Sequence, residues 1–274
     1  MHLVCQQLLL SHYFTTLTFV ILLGFYLEIM TIDLFIPCFI DQLFPETAWN
    51  IVKILEKAEV KINYNPRQTC CGQPAFNSGD IKNAKKLAKK FITDFPDNRP
   101  IVIPSASCAG YIKNHFISLF KDDEMFREKA EILTENVYEL TDFLVNKINF
   151  TEFNSEFNHK ITYHDACSAL REYGIKEEPR KLLSKVKGLE LIEMEESDTC
   201  CGFGGTFMVK FVPISTAMVE QKVQNALNTG AEYIVSTEAS CLINIRSYIK
   251  KQNLPIKTMH IADILASSNI YGNI

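Results

Sequence analysis

Eight of the nine cysteines in this chain form two copies of one pattern, a single cysteine, a Cys-Cys-Gly triplet and a further single cysteine. The members are Cys38, Cys70, Cys71 and Cys108 in the first copy and Cys167, Cys200, Cys201 and Cys241 in the second. Thiolates are the soft ligands that hold iron-sulfur clusters and zinc, and both kinds of centre can take four of them. The pattern therefore predicts two four-thiolate metal sites.

The adjacent cysteines require a turn. Neighbouring side chains in a regular strand point to opposite faces of a sheet, so Cys70 and Cys71 can meet at one site only where the chain bends. Gly72 and Gly202 follow the two cysteine pairs, and glycine tolerates the positive φ that such a bend needs.

Three other interpretations compete with metal clusters. Buried structural cysteine explains a single residue but not two sets in matched register. Disulfides are disfavoured because the chain shows no convincing secretory signal. Zinc is the serious competitor, although the closely spaced cysteine knuckles of structural zinc sites are missing, so we expect a cluster in at least one half and keep zinc open for one half.

The duplication extends beyond the cysteines. Residues 68–72 match 198–202 in type and position, and residues 101–108 match 233–241. Each copy is about 120 residues long, which suits an ordinary domain. We predict a first domain at 30–150 and a second at 151–274.

Strands and helices alternate in both copies, and this pattern predicts an α/β fold of two tandem domains with parallel strands and crossover helices. Strands are expected at 32–36, 60–64, 101–104, 161–164, 190–194 and 233–236. Helices are expected at 45–58, from about 80 and from about 109. Ligands of parallel sheets sit beyond the carboxyl ends of strands, where each cysteine falls in this interpretation.

The segment 1–29 is an apolar leader. Residues 3–27 carry no Asp, Glu, Lys or Arg, so by length the segment could cross a bilayer. It lacks the positive flank and cleavage site of a signal peptide, and the repeat needs nothing before Met30. We interpret it as an upstream extension or a mis-chosen start rather than a membrane anchor. Cys5, the ninth cysteine, lies in this segment.

Composition narrows the class of protein. The chain has 47% hydrophobic and 22% charged residues and a net charge of -4. A mildly acidic chain lacks the clustered positive charge of nucleic-acid binding proteins, so no nucleic-acid partner is expected. We expect a cytoplasmic protein.

Two polar residues are candidate catalytic groups. His164 lies three residues before Cys167 and would tune the centre or move a proton, or else serve as a hydrogen-bonded structural histidine. Arg171 would hold a carboxylate by a bidentate contact, or else form a surface ion pair.

The motifs also carry a resemblance. The runs QTCCGQPAFN at 68–77, SDTCCGFGGTF at 197–207 and MHIAD at 259–263 resemble the cysteine-rich CCG domains of iron-sulfur oxidoreductases. Within that group the chain is similar to the lactate utilization protein A family, also described as glycolate oxidase-like iron-sulfur subunits. More distantly it resembles the CCG-bearing subunit of heterodisulfide reductase.

The resemblance implies one or two 4Fe–4S clusters held by the eight cysteines. It further implies an electron-transfer role in oxidation of a small 2-hydroxy acid, L-lactate to pyruvate, within a complex whose other subunits include one with more iron-sulfur motifs. Two alternatives stay open: a zinc-bearing assembly module, and a heterodisulfide- or quinone-reductase-type subunit.

The chain departs from these relatives at certain positions. The heterodisulfide reductase pattern has a fifth cysteine, and Ser105, Tyr111, Glu238 and Asn244 stand at the four positions where it would fall. Ser168 replaces a histidine that follows the matching cysteine in several relatives. Four ligands in each half favour an ordinary cluster over a non-cubane one.

Overall fold

The computed structural model describes residues 29–267. The predicted leader and Cys5 lie outside the described residues, except for the last residue of the leader. Between residues 29 and 267, no helix is both long enough and apolar enough to cross a membrane.

The first half contains four short strands joined by helices. The strands are β1 (Thr31–Leu34), β2 (Lys61–Tyr64), β3 (Ile101–Ile103) and β4 (Val137–Glu139). The helices are α1 (Cys38–Leu43), α2 (Pro45–Lys57), α3 (Gln73–Asn77), α4 (Ile81–Asp94), α5 (Ala106–Leu119), α6 (Glu124–Glu135) and α7 (Leu140–Asp142), and a π-helical segment π1 (Phe143–Lys147) ends the half.

The second half repeats the order. Its strands are β5 (Lys160–Tyr163), β6 (Glu190–Leu191), β7 (Tyr233–Ser236) and β8 (Lys257–His260). Its helical segments are π2 (Ser168–Tyr173), α8 (Glu177–Leu183), α9 (Phe207–Lys210), α10 (Val212–Asn228), α11 (Ala239–Gln252) and α12 (Ile261–Leu265).

Each half builds one four-stranded parallel sheet. The strand orders are β2-β1-β3-β4 and β6-β5-β7-β8, so the second sheet copies the topology of the first. Every pairing between named strands is parallel, as crossover helices require. The predicted α/β class with parallel strands and an internal duplication is confirmed.

Local sequence signals explain several element boundaries. Pro45 occupies the first position of α2, where its missing N–H costs nothing, and the Asp80 side chain caps α4 by accepting the N–H of Asn83. Helix α5 begins at Ala106 rather than near residue 109, because Ser105 caps it by accepting the N–H of Cys108. Cys108 is therefore in the first turn of this helix.

The two halves share part of their core. One apolar cluster contains buried residues of both, such as Ile51 and Leu55 of α2 and Ile261 and Leu265 of α12. Asp263 accepts hydrogen bonds from Thr47 and Asn50 of α2, at 3.0 Å each. The described residues from Thr31 onwards accordingly form one compact unit. The proposed domain boundary near residue 150 remains a prediction.

Helix α5 of the first half also packs against π2 of the second. A Cβ atom on Gly110 would stand 3.1 Å from Cβ of Glu172, so the glycine lets the two backbones approach closely. This contact brings the cysteine-bearing ends of the halves together.

Candidate metal centres

All eight repeated cysteines lie at or beyond the carboxyl ends of the strands. Cys38 begins α1 shortly after β1, and the pair Cys70-Cys71 separates β2 from α3. Cys108 follows β3 in the first turn of α5. The second half places its cysteines in the same order around β5, β6 and β7. The crossover helices thus occupy the long gaps in the sequence, and the thiols converge.

The first quartet, Cys38, Cys70, Cys71 and Cys108, is a contiguous group of sulfurs. Cys71 Sγ lies 3.3 Å from Cys108 Sγ, and the Cys70 thiol interacts with those of Cys38 and Cys71. Gly72, at a φ of 97°, turns its backbone N–H toward Cys70 Sγ at 3.4 Å. The bend predicted at the glycine is present and supplies a donor to the site.

The second quartet, Cys167, Cys200, Cys201 and Cys241, repeats this arrangement. The Cys200 thiol interacts with those of Cys167 and Cys201, and Cys201 interacts with Cys241. Gly202, at a φ of 83°, donates its N–H to Cys200 Sγ at 3.3 Å. In both quartets the second cysteine of the pair and the last cysteine are buried, whereas the other two are more accessible.

In both quartets the first cysteine of the Cys-Cys pair has a strongly lowered pKa. Neighbouring thiols, chiefly that of Cys38, lower the pKa of Cys70 to about 3, and the thiol of Cys167 leads the effects that lower the pKa of Cys200 to about 2. The contact with Cys70 is the largest cause that raises the pKa of Cys38, and the contact with Cys200 is the largest cause that raises the pKa of Cys167. Each quartet therefore stabilises a thiolate, the form that binds metals.

Both quartets line a single cavity of about 400 Å³. All eight thiol-bearing residues contribute to its wall, together with Ser105, Ser168 and Glu238. The two candidate centres thus face the same space in the compact unit.

Glu238 joins the two halves at this cavity. Its side chain is 2% exposed and accepts hydrogen bonds from the Ser107 N–H at 2.9 Å, the Ser105 hydroxyl at 3.1 Å and the Ser240 hydroxyl at 2.8 Å. Ser105 and Ser107 belong to the start of α5, whereas Ser240 is in the first turn of α11. The carboxylate therefore holds together the two helices that carry Cys108 and Cys241.

The two predicted catalytic residues lie in different places. His164 is fully buried, and one of its ring nitrogens and the sulfurs of Cys201 and Cys241 all lie within 4.8 Å of one another. Arg171 is exposed, donates to the Asp198 carbonyl at 3.4 Å and is not among the residues that line the cavity. The structure brings His164, and not Arg171, to the sulfur atoms.

Sequence reasoning missed further residues near the second quartet. Arg180 makes a bidentate ion pair with the buried Asp165, at 2.8 Å for both contacts, and so fixes the loop that leads to Cys167. Lys222 is fully buried on α10 and donates to the Glu196 carbonyl. A lysine between Val219 and Val223 on the apolar face of a helix was the signal that could have revealed it.

The residues fit a thiolate-bound metal or cluster. The eight cysteines in the described residues are all free thiols, and they form two compact groups of four, the donor number that such centres use. The buried His164 ring has no oxygen or nitrogen partner among the described residues, and one of its nitrogens lies against the sulfurs of Cys201 and Cys241 in the second group.

Comparison with known proteins decides the family. The cysteine-rich domain defined by the CCG motif matches residues 32–113 and again residues 161–246. Lactate utilization protein A 2 of Bacillus cereus (strain Q1) is 41% identical over 237 residues, which is 86% of this chain and 98% of the relative. The chain belongs to the lactate utilization protein A family. This confirms the resemblance expressed by the doubled cysteine motif.

A second relative agrees with that assignment, and a solved structure shares the fold. Lactate utilization protein A of Halalkalibacterium halodurans is 41% identical over 236 residues, covering 86% of this chain and 96% of the relative. The crystal structure of a hypothetical protein from Helicobacter pylori superposes with a TM-score of 0.54 at 15% identity, over 86% of this chain and 48% of that one. The latter likeness concerns the fold alone.

Proposed function

We propose that this chain is an iron-sulfur electron-transfer subunit of a system that oxidises a 2-hydroxy acid, L-lactate to pyruvate. The observation that carries the proposal is the convergence of two thiol quartets on one cavity. The names of the relatives support the substrate, since they are described as lactate utilization proteins.

The two quartets would each hold one cluster, and bound clusters would supply one-electron transfer. The residues of the chain provide the surroundings. The N–H groups of Gly72 and Gly202 stabilise anionic sulfur, and the buried Cys71 and Cys201 keep one side of each site away from water. Glu238 fixes the two cysteine-bearing helices relative to each other.

The chain needs a partner for the chemical step. Oxidation of lactate to pyruvate releases two electrons and two protons, and a flavin or nicotinamide normally accepts them. The glycines at 202, 204 and 205 do not form the G-x-G-x-x-G fingerprint of dinucleotide binding, because Phe207 occupies the last position. We therefore place hydride removal on another subunit, and further iron-sulfur motifs on a partner.

The partner would dock at the mouth of the cavity. Val209 lines the cavity and is 72% exposed, and the residues that follow continue an exposed apolar surface. These are Phe211, Val212 and Ile214. Exposed apolar patches of this kind mark interaction sites, and a redox partner must approach close to the sulfurs.

The decisive experiment is metal analysis with visible and electron paramagnetic resonance (EPR) spectra of the anaerobically purified protein. We expect iron and sulfide in both halves. Cys70→Ser and Cys200→Ser should each remove the metal of one half and spare the other, whereas Cys5→Ser should change nothing. Zinc without iron would refute the redox proposal and support an assembly module.

An activity assay tests the division of labour. The chain is incubated with lactate and an artificial electron acceptor, alone and with its candidate partner subunits. We expect turnover only when the partners are present. Sustained lactate oxidation by the chain alone would refute the electron-carrier proposal and direct attention to His164.

Reduction of a disulfide or quinone is the second candidate function. The shared cavity favours it, because a small acceptor between the quartets would meet both. Turnover of such an acceptor by the chain with a reduced dye as electron donor, and without the partners, would support this alternative.

A further inference from the structure

Two positions of the first half have structural equivalents in the second half that carry different kinds of side chain. Phe35 follows β1 and donates its N–H to the Val102 carbonyl at 3.0 Å, and His164 follows β5 and donates to the Val235 carbonyl at 2.8 Å. Because β1 and β3 correspond to β5 and β7, the phenyl and imidazole rings start from the same place in the fold.

A second equivalence comes from the glycine turns. A Cβ atom on Gly72 would lie 3.1 Å from Cβ of Leu87, and one on Gly202 would lie 3.1 Å from Cβ of Met218. Leu87 and Met218 are thus matching positions on α4 and α10. Phe91 and Lys222 each stand four residues later, so the lysine takes the place of a phenylalanine.

In the first half this pair of positions is aromatic. Phe35 and Phe91 are 0% and 3% exposed, and their ring centroids lie 5.0 Å apart in an edge-on contact. They belong to the same apolar cluster as Cys71 and Cys108. The buried side of the first quartet therefore meets hydrocarbon at these two positions.

In the second half the pair is polar. His164 and Lys222 are both 0% exposed. Neither ring nitrogen of His164 bonds to an oxygen or nitrogen atom of the described residues, and one of them lies close to the sulfurs of Cys201 and Cys241 and interacts with the Cys241 thiol. The Lys222 ammonium group donates to the Glu196 carbonyl. Burial lowers the pKa of Lys222, and the negative charge of Cys201 leads the effects that oppose this. The buried side of the second quartet therefore meets nitrogen donors.

We propose that His164 and Lys222 make the second centre the better electron acceptor of the two, so that electrons enter at the first centre and pass to the second. This inference rests on the proposed iron-sulfur function. His164 acts as an N–H donor to the sulfurs of the second quartet, outside the set of four ligands. Lys222 acts as a buried positive charge beside the second quartet.

The physical reason is the charge added on reduction. An electron makes the sulfurs more negative, so a nearby N–H dipole or ammonium group stabilises the reduced form more than the oxidised form. Hydrogen bonds to sulfur and net charge are among the factors that set cluster potentials. The carboxylates of Asp165 and Glu238 work in the opposite direction. Arg180 offsets part of the Asp165 charge while it also pairs with Glu193, and Glu238 bonds to the starts of both cysteine-bearing helices and so bears on both centres. The phenyl rings of the first half offer neither stabilisation, and the buried Tyr111 hydroxyl, on which the charges of Cys71 and Cys70 act, is an uncharged donor.

The test is a potentiometric titration followed by EPR, in which Cys70→Ser and Cys200→Ser assign each signal to its half. In the full chain, the second centre should accept its electron at a higher potential than the first centre. His164→Phe, which copies the first half, should lower the ratio of reduced to oxidised second centre at least tenfold at a fixed potential, which is about 59 mV for one electron. Lys222→Met should act in the same direction, and His164→Gln, which keeps an N–H donor, should retain part of the effect.

The first half supplies matched controls. Phe35→His should make the first centre easier to reduce, whereas Phe35→Leu, which adds no donor, should leave its potential unchanged. Two cluster signals with equal potentials, or a His164→Phe protein with full iron and an unshifted second signal, would overturn the inference. Loss of iron from the second half in both His164→Phe and His164→Gln would assign a ligand or structural role and would also overturn it. Absence of any cluster in the wild-type protein would instead refute the proposed function.

Discussion

Replacement of Glu238 by alanine should destabilise the contact between the two halves. The change removes the acceptor of three hydrogen bonds, from the Ser107 N–H and the hydroxyls of Ser105 and Ser240. The Ser105 hydroxyl can turn to Ser107 Oγ, which is 3.2 Å away, so two donors lose their partner outright. A buried donor left unpaired costs about 1–3 kcal/mol, and the adjacent cavity admits water that recovers part of this.

We therefore expect Glu238→Ala to lower the free energy of unfolding by about 2–4 kcal/mol. For a chain of this size, each kcal/mol shifts Tm by about 2–4 °C, which gives a decrease of roughly 5–15 °C. Glu238→Gln keeps one carbonyl acceptor and should lose less than half as much. The measurement is thermal unfolding of anaerobically purified protein, followed by circular dichroism.

The control is Glu128→Ala, which changes an exposed glutamate on α6. Surface replacements of this kind change stability by less than about 0.5 kcal/mol. If Glu238→Ala unfolded within about 2 °C of the wild-type protein, the carboxylate would not be holding the two helices and the reasoning would be refuted.

Three further predictions concern other parts of the chain. Gly202→Ala should lower the stability and the metal content more than Gly72→Ala does. A Cβ atom at residue 202 would lie 2.6 Å from the Ser215 carbonyl oxygen, whereas one at residue 72 would meet a side-chain carbon at 3.1 Å. The iron content of anaerobically purified protein and its Tm compare the two variants. Burial raises the pKa of Glu139 to about 8 from 4.5, so the folded state binds the extra proton and stability should fall as the pH rises from about 5 to 8. Glu139→Gln should flatten that dependence in urea unfolding series. A chain that starts at Met30 should fold and bind the same metal, because the described residues from Thr31 form a compact unit. Circular dichroism tests the folding of this chain, and iron analysis tests its metal content.

Each of these has a clear contrary result. Equal losses in the two glycine variants would mean that the positive φ, and not the close carbonyl, sets the cost. A stability that rises between pH 5 and 8, with Glu139→Gln unchanged from wild type, would contradict the assigned titration. Loss of folding or metal in the chain that starts at Met30 would make the leader part of the protein.

The sequence alone determined the cysteine quartets, the duplication, the parallel α/β class and the family. The reason is that these properties depend on residues that are close together in the sequence. Cys-Cys-Gly needs a turn, and apolar runs of four or five residues bounded by helices predict buried strands. The repeat recurs in register along the chain. Residues 32–36 and 101–104, predicted as strands, contain most of β1 and all of β3.

Other elements were decided by tertiary contacts. Strands β4 and β8 were not predicted, because Val137–Glu139 and Lys257–His260 are short and become strands by pairing with β3 and β7. The predicted strand at 190–194 is reduced to Glu190–Leu191, which pairs only with Lys160 and Ile161. Pairing partners distant in sequence leave little local signal.

The character of the second centre also depended on the tertiary structure. His164 was a candidate from its spacing to Cys167, but its closeness to Cys201 and Cys241 arises because three strand ends meet at one edge of the sheet. Lys222 on α10 and Glu238 at the start of α11 also belong to the site. The residues next to them in the sequence do not predict that they lie beside the sulfurs and serines. Residue types fix which groups can bind a metal, whereas the packing of helices on the sheet fixes which groups surround it.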